Sequence, residues 1–147
     1  MRIIKFCRIN DEYGFLSNFA HYSFKLDGLL WKTSEHYYQA MKFYGTDTEH
    51  LNKIRLANNP SEAARLGRDR SHTLRLDWES IKETVMEKAL IEKFSQNLDI
   101  RKMLIDTGNA QLIEHRKADS YWGDGGDGSG LNRLGALLMK VRDTISN

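Results

Sequence analysis

Five of the eight residues from Gly123 to Gly130 are glycine, within the stretch Asp119-Ser-Tyr-Trp-Gly-Asp-Gly-Gly-Asp-Gly-Ser-Gly-Leu-Asn-Arg-Leu-Gly135. Such a run nucleates neither helix nor strand, because glycine loses more backbone freedom on ordering than any other residue. It does not read as a linker. Tyr121 and Trp122 enter it, and Leu134, Leu137, Leu138, Val141 and Ile145 leave it at helical spacing. Asp119, Asp124 and Asp127 lie inside. A loop with fixed aromatics and carboxylates that runs into a helix N-terminus suits close approach of backbone to a ligand. A surface loop of Asp-Gly turns accounts for the same residues.

The rest of the chain supplies ordinary material for a small core. With 147 residues one domain spanning 1–147 is expected. Ile3–Phe6 reads as a strand and Tyr22–Trp31 as a hairpin turning at Asp27-Gly28. Helical patterns follow at about Ser34–Tyr44, Asp47–Ala57 (Leu51, Ile54 and Leu56 inward), Pro60–Leu66, Trp78–Phe94 and Leu98–Asp106. Asn59-Pro60 with Glu62 is an N-terminal signature, and Asp77 is positioned to cap the helix that begins at Trp78. Ala110–Glu114 reads as a short strand entering the glycine loop. The expected fold class is α+β: a compact, mostly helical domain with a small N-terminal antiparallel sheet.

The helix from Ser34 to Tyr44 is two-faced. At about 100° per residue, Tyr37, Ala40, Met41 and Tyr44 fall on an inward side. Glu35, Tyr38, Gln39 and Lys42 fall in a narrow arc opposite. A solvated polar face is the common meaning of such a strip. Glu35 and Lys42, however, stand two turns apart and do not form the usual helix-stabilising pair. A tyrosine among them suits a binding surface. Farther on, Arg65, Arg68, Arg70 and Arg75 surround Gly67, and guanidinium forks match phosphate bidentately. Asp69 partly neutralises the run.

Several chemistries are set aside by pattern. The five histidines show no metal-ligand spacing, so no metal is expected. Asp124-Gly-Gly-Asp127 resembles a fragment of a calcium loop without its closing glutamate. No phosphate-loop or dinucleotide fingerprint occurs. Cys7, the single cysteine, falls in the first strand and is expected to be structural; it leaves no internal disulfide. No apolar run is long enough for a membrane span, no signal-peptide core is present, and a cytoplasmic location is expected. A net charge of +2 requires any nucleic-acid contact to come from a local patch. Carboxylates, aromatics and arginines remain. That set can cleave or bind a nucleoside phosphate, since carboxylates stabilise oxocarbenium-like transition states and activate water.

Four segments together resemble the NADAR (YbiA-like) family. They are Tyr13-Gly-Phe-Leu-Ser-Asn-Phe19, Trp31-Lys-Thr-Ser-Glu-His-Tyr-Tyr-Gln-Ala-Met-Lys-Phe43, Ala64-Arg-Leu-Gly-Arg68, and Tyr121-Trp-Gly-Asp-Gly-Gly with Gly128-Ser-Gly-Leu-Asn-Arg-Leu-Gly135. The resemblance implies an N-glycosidase. The substrate would be a phosphoribosylated pyrimidine intermediate of riboflavin synthesis, or ADP-ribose on guanine in nucleic acid. Glu35, Asp119, Asp124 and Lys42 become the catalytic candidates. Asn18, Phe19, Gly67, Arg68, Trp78, Tyr121, Trp122 and Asn132 become ligand contacts, and no cofactor is implied. Lys42 carries a covalent alternative, an imine on the opened sugar. A non-catalytic nucleotide-binding module would use the same residues.

Overall fold

The structure, a computed structural model, describes residues 2–146. They pack as two compact units: His21–Gln96, and the residues up to Ala20 together with those from Asn97 onward.

In the second of these, β1 (Ile3–Phe6) pairs in parallel with β4 (Gln111–Glu114), Ile3 opposite Gln111 and Phe6 opposite Glu114. The first strand thus joins its partner from the far end of the chain, and the small antiparallel sheet expected near the N-terminus is the hairpin of residues 24–31. Ile4, Phe6 and Leu112 alternate inward. Cys7 lies just beyond β1 and is exposed, not structural as expected, because the strand ends at Phe6 and the alternation ends with it. α5 (Leu98–Asp106) and α6 (Arg133–Ile145) complete the unit. Ile100 and Leu104 are buried on α5, whereas Met103 is 43% exposed. Leu134, Leu138 and Val141 form the buried stripe of α6. Arg142 is buried and donates to Thr107 Oγ1 (2.9 Å) and the Ala110 carbonyl (2.8 Å), fixing α6 to the end of α5.

The other unit opens with the antiparallel hairpin β2 (Phe24–Leu26) and β3 (Leu29–Trp31). Asp27 and Gly28 both have positive φ, 56° and 78°, the backbone of a two-residue primed turn. Trp31 is fully buried and donates from Nε1 to the Leu26 carbonyl. The helices are α1 (Ser34–Met41), α2 (Thr48–Arg55), α3 (Pro60–Gly67) and α4 (Trp78–Gln96). α1 packs against the other three.

Caps explain the boundaries. Thr33 accepts from His36 N, Asp47 from His50 N, and Asn59 from Glu62 N. Glu62 does not close a capping box; its carboxylate binds Arg65. Asp77 likewise spends its carboxylate on Arg75 rather than on capping α4. α1 stops at Met41, three residues short of the periodic pattern. Tyr44, expected inward, is therefore 62% exposed, with the Arg75 guanidinium over its ring. Leu56 also lies past its helix and is exposed.

On α4 the fully buried Lys93 has a pKa lowered to about 7 by burial alone. Below that value the folded state must hold a desolvated ammonium, and the unfolded chain, which binds its proton up to about 10.5, gains by comparison. Stability therefore rises with pH from about 7 toward 10.5. Lys93→Met is expected to raise the unfolding free energy at pH 6 by about 1–4 kcal/mol, with the gain shrinking toward pH 10. Urea unfolding of both proteins across that range checks it.

Candidate active site

α1 carries the densest set of reactive groups, and its polar strip is not solvated. Tyr38, Gln39 and Lys42 are all buried, at 8%, 6% and 7% exposure, and Glu35 is half-buried. The opposite face is buried as well, through Tyr37, Ala40 and Met41. A helix covered on both sides keeps polar groups inside only where partners hold them.

Those partners are specific. Gln39 Nε2 donates to Glu35 Oε2 at 2.8 Å, one turn along the helix. The Lys42 ammonium lies 5.5 Å from the Tyr38 ring centre and 6.0 Å from that of Trp78. Tyr38 and Trp78 meet edge-on at 5.1 Å, so two aromatics exclude water from the amine. Burial first, then the positive charge of Arg70, pull the Lys42 pKa down to about 8; Glu35 opposes the fall and Arg68 adds to it. A lysine in this state is a nucleophile or proton carrier near neutral pH.

α3 ends beside the same strip. A Cβ on Gly67 would lie 1.9 Å from Gln39 Oε1, so the amide packs directly on the glycine backbone. Arg70 donates to the Gly67 carbonyl at 2.9 Å. Of the four arginines, Arg65 is held by Glu62 and Arg75 by Asp77. Arg68 and Arg70 are exposed and are the two that act electrostatically on Lys42. Their segment is tied down by two histidines that sequence reasoning passed over. The His50 and His72 rings stack at 3.7 Å; His50 bonds the Leu66 carbonyl through Nε2, and His72 Nδ1 meets Asp47 Oδ2 at 2.7 Å. His36 is fixed between Thr33 Oγ1 and the Ala57 carbonyl, and burial lowers its pKa from the ordinary imidazole value. A separate cavity of about 880 Å³ lies against the other face of α1, among Leu29, Tyr37, Tyr44, Leu51 and Val85. Glu35 and Lys42 do not line it.

In the other unit the glycine loop is built around two of its carboxylates, Asp119 and Asp124. Asp119 Oδ1 accepts from the amides of Tyr121 (3.0 Å) and Trp122 (2.8 Å) and so sets the two rings edge-on at 5.0 Å. Asp124 is 5% exposed and accepts from His115 Nδ1, Gly126 N and Arg116 N. His115 leads the causes that hold its carboxyl below the usual range. The carbonyl of Asp124 takes two further amides, from Gly128 and Gly130. Gly130 is obligatory, since a Cβ there would stand 2.5 Å from the Asp124 carbonyl carbon. Asp127 turns onto Ser129. Asn132, at φ 51°, accepts from Glu114 N and donates to the Leu112 carbonyl, joining the start of α6 to β4. Asn18 is buried, and Phe19 has the Arg116 guanidinium 5.9 Å from its ring centre.

Asp124→Ala removes three accepted hydrogen bonds at once, and a loss of about 2–3 kcal/mol is expected. The same loop should loosen in the parent chain at low pH. A depressed folded pKa contributes stability above the ordinary carboxylate value and loses it as pH falls through the folded one. Amide shifts of Gly126 and Arg116 on acid titration, with chemical unfolding of the variant, check both statements.

Sequence reasoning placed Glu35, Tyr38, Gln39 and Lys42 on one strip, and Gly67, Arg68 and Trp78 join them in this unit. Gln39, not singled out there as a site residue, and Arg70 belong with them. The signal for Gln39 was its i, i+4 spacing from Glu35; for Arg70 it was only membership of a charge run.

The fold and these two clusters define a family. The model of the NADAR domain matches residues 5–146, and the chain belongs to the NADAR family. It is 51% identical over 144 residues to N-glycosidase YbiA of Escherichia coli (strain K12), covering 98% of this chain and 89% of that one. The NMR structure of the E. coli protein YbiA matches with a TM-score of 0.91, over 99% of this chain and 85% of that chain. A riboflavin biosynthesis protein of Vibrio vulnificus is 42% identical over 142 residues, which is 97% of this chain and 38% of that protein.

Proposed function

We propose that this chain cleaves the N-glycosidic bond of a phosphoribosylated aminopyrimidine, with Glu35 and Lys42 as the reacting groups. It is a hydrolase of N-glycosyl compounds, as its relatives named N-glycosidase are. The observation that carries the reading is the half-buried carboxylate and the desolvated amine on one strip of α1. The 42% identity to proteins named for riboflavin biosynthesis supports the substrate class. Among the described residues no helix is long and apolar enough to cross a membrane.

The chemistry follows from the groups. Opening of the ribosylamine ring leaves an electrophilic C1. The neutral Lys42 amine adds to C1; the ionised Glu35 takes the proton from the Lys42 nitrogen so attached and passes it to the departing nitrogen of the aminopyrimidine, which leaves as the neutral amine. The imine left on Lys42 is then hydrolysed by one water, releasing the sugar phosphate and the free amine. Net consumption is one water. Arg68 and Arg70 are suited to the phosphate. Trp78 and Tyr38 keep the amine dry. Asp119, Asp124 and Asn132 shape the glycine loop, and Tyr121, Trp122, Asn18 and Phe19 are its proposed recognition groups.

A paired assay by mass spectrometry tests the reading. The protein meets the phosphoribosylated aminopyrimidine in one tube and ADP-ribosylated guanine DNA in another. Release of the free aminopyrimidine supports the proposal. Release of guanine alone reassigns the substrate to nucleic acid. Silence in both, with ADP-ribose still bound, makes the chain a binding module.

A further inference from the structure

We infer that Gln39 is the positioning residue of Glu35: locked between that carboxylate and the bare backbone of Gly67, it holds Glu35 ionised and in one rotamer. The inference deepens the reading above and rests on Glu35 as the reacting carboxylate. Three observations carry it. Gln39 Nε2 donates to Glu35 Oε2 at 2.8 Å. Gln39 Oε1 is buried and has no hydrogen-bond partner, one of four such side-chain atoms among the described residues. The space that Oε1 occupies exists because residue 67 has no side chain; a Cβ would also lie 2.6 Å from Gln39 Cδ and 2.9 Å from its Cβ.

An orphaned buried acceptor is costly and calls for a cause. Turning the amide over would bring two oxygens together at Glu35, which an ionised carboxylate forbids. The orphan is therefore the consequence of aiming the N–H at a carboxylate. Gly67 pins the amide from behind, so it cannot swing to relieve the strain on Oε1. Donation to the charged form favours that form. Among the charged groups that act on Lys42, the cations favour the charged form of Glu35 and the Glu79 carboxylate opposes it. Lys42 on its own helix faces it; Arg68 and Arg70 after α3, and Glu79 on α4, face Lys42. Gln39 is the neutral member of the set and bonds the carboxylate directly.

The test reads Glu35 itself, apart from turnover. The side-chain carboxyl carbon of Glu35 is assigned by its absence in Glu35→Gln and titrated by NMR in the parent chain, Gln39→Met and Gln39→Glu. Methionine keeps the length and packing over Gly67 and removes the donor. Glutamate replaces the donor with a like charge. The midpoint of Glu35 is expected to rise by about one pH unit or more in both. Gly67→Ala, which displaces Gln39 without altering it, is expected to raise it too, and it decides the case if a Gln39 variant fails to fold. Midpoints unchanged in every folded variant overturn the inference. In the turnover assay the Gln39 variants are expected to lose about tenfold or more in kcat with KM kept. Turnover that survives Glu35→Gln would defeat the functional reading instead, and the titration would still report on Gln39.

Discussion

Glu35→Gln is expected to lower kcat by about 10³-fold while leaving ligand affinity within a fewfold of the parent. The amide is isosteric with the carboxylate and can still accept from Gln39 Nε2, so the local hydrogen bond of 2.8 Å has a replacement. What it cannot do is carry charge or a proton. The transition state places positive charge near C1 and requires a proton on the departing nitrogen, and in the proposed mechanism both demands fall on Glu35. A fall in kcat at constant KM identifies an interaction made only in the transition state. Asp124 provides the contrast. Its carboxylate already accepts from His115, Gly126 and Arg116, so Asp124→Ala should cost stability first. If Glu35→Gln turned over at the parent rate and Asp124→Asn did not, the roles of the two carboxylates would be reversed. Single-turnover rates with both variants separate the cases.

The legible parts of the chain were those whose signal is local. The Asp27-Gly28 turn, the Asn59 cap and the apolar stripe of α6 depend on neighbours within a few residues, and each stands where its pattern predicts. Parallel pairing of β1 with β4 joins residues more than a hundred positions apart, and no periodicity encodes it. The same distinction divides the site. The strip Glu35–Tyr38–Gln39–Lys42 follows from helical geometry. That it is buried does not, because an amphipathic pattern of this kind ordinarily means a wet face. Covering comes from Trp78 and from Gly67, each more than twenty residues away. Two apparent capping or binding groups were spent elsewhere, Asp77 on Arg75 and Asn132 on the β4 backbone. A side chain with two good uses does not disclose its choice in sequence.

Lys42→Met is expected to abolish turnover, by at least about 10³-fold, and at the same time to stabilise the fold. The two effects have one cause. Burial between Tyr38 and Trp78, with Arg70 nearby, brings the folded pKa from 10.5 to about 8. In the unfolded chain the lysine keeps its proton up to about 10.5, so between pH 8 and 10.5 the unfolded state binds more protons and stability rises with pH. Below pH 8 the full penalty stands, about 3 kcal/mol for a shift of this size. Methionine removes it, so a gain of about 1–3 kcal/mol is expected at pH 7 and little or none above pH 10. In the proposed mechanism the same shift supplies reactivity. With the folded pKa at about 8, only a minor fraction of Lys42 is neutral at pH 7, and that fraction grows about tenfold per pH unit until the midpoint. The rate in the parent should follow it, rising to a plateau above pH 8. Borohydride added during turnover should then leave the mass of the reduced sugar phosphate on the peptide bearing Lys42 and none on Lys42→Met. An enzyme that turned over without any adduct, with Lys42→Met still more stable, would confine Lys42 to electrostatics and leave hydrolysis to water and Glu35. A fold that keeps an ammonium in a dry aromatic slot at a cost of several kcal/mol has an apolar alternative of the same length available in methionine. The Lys42→Met variant measures that cost as stability gained against turnover lost.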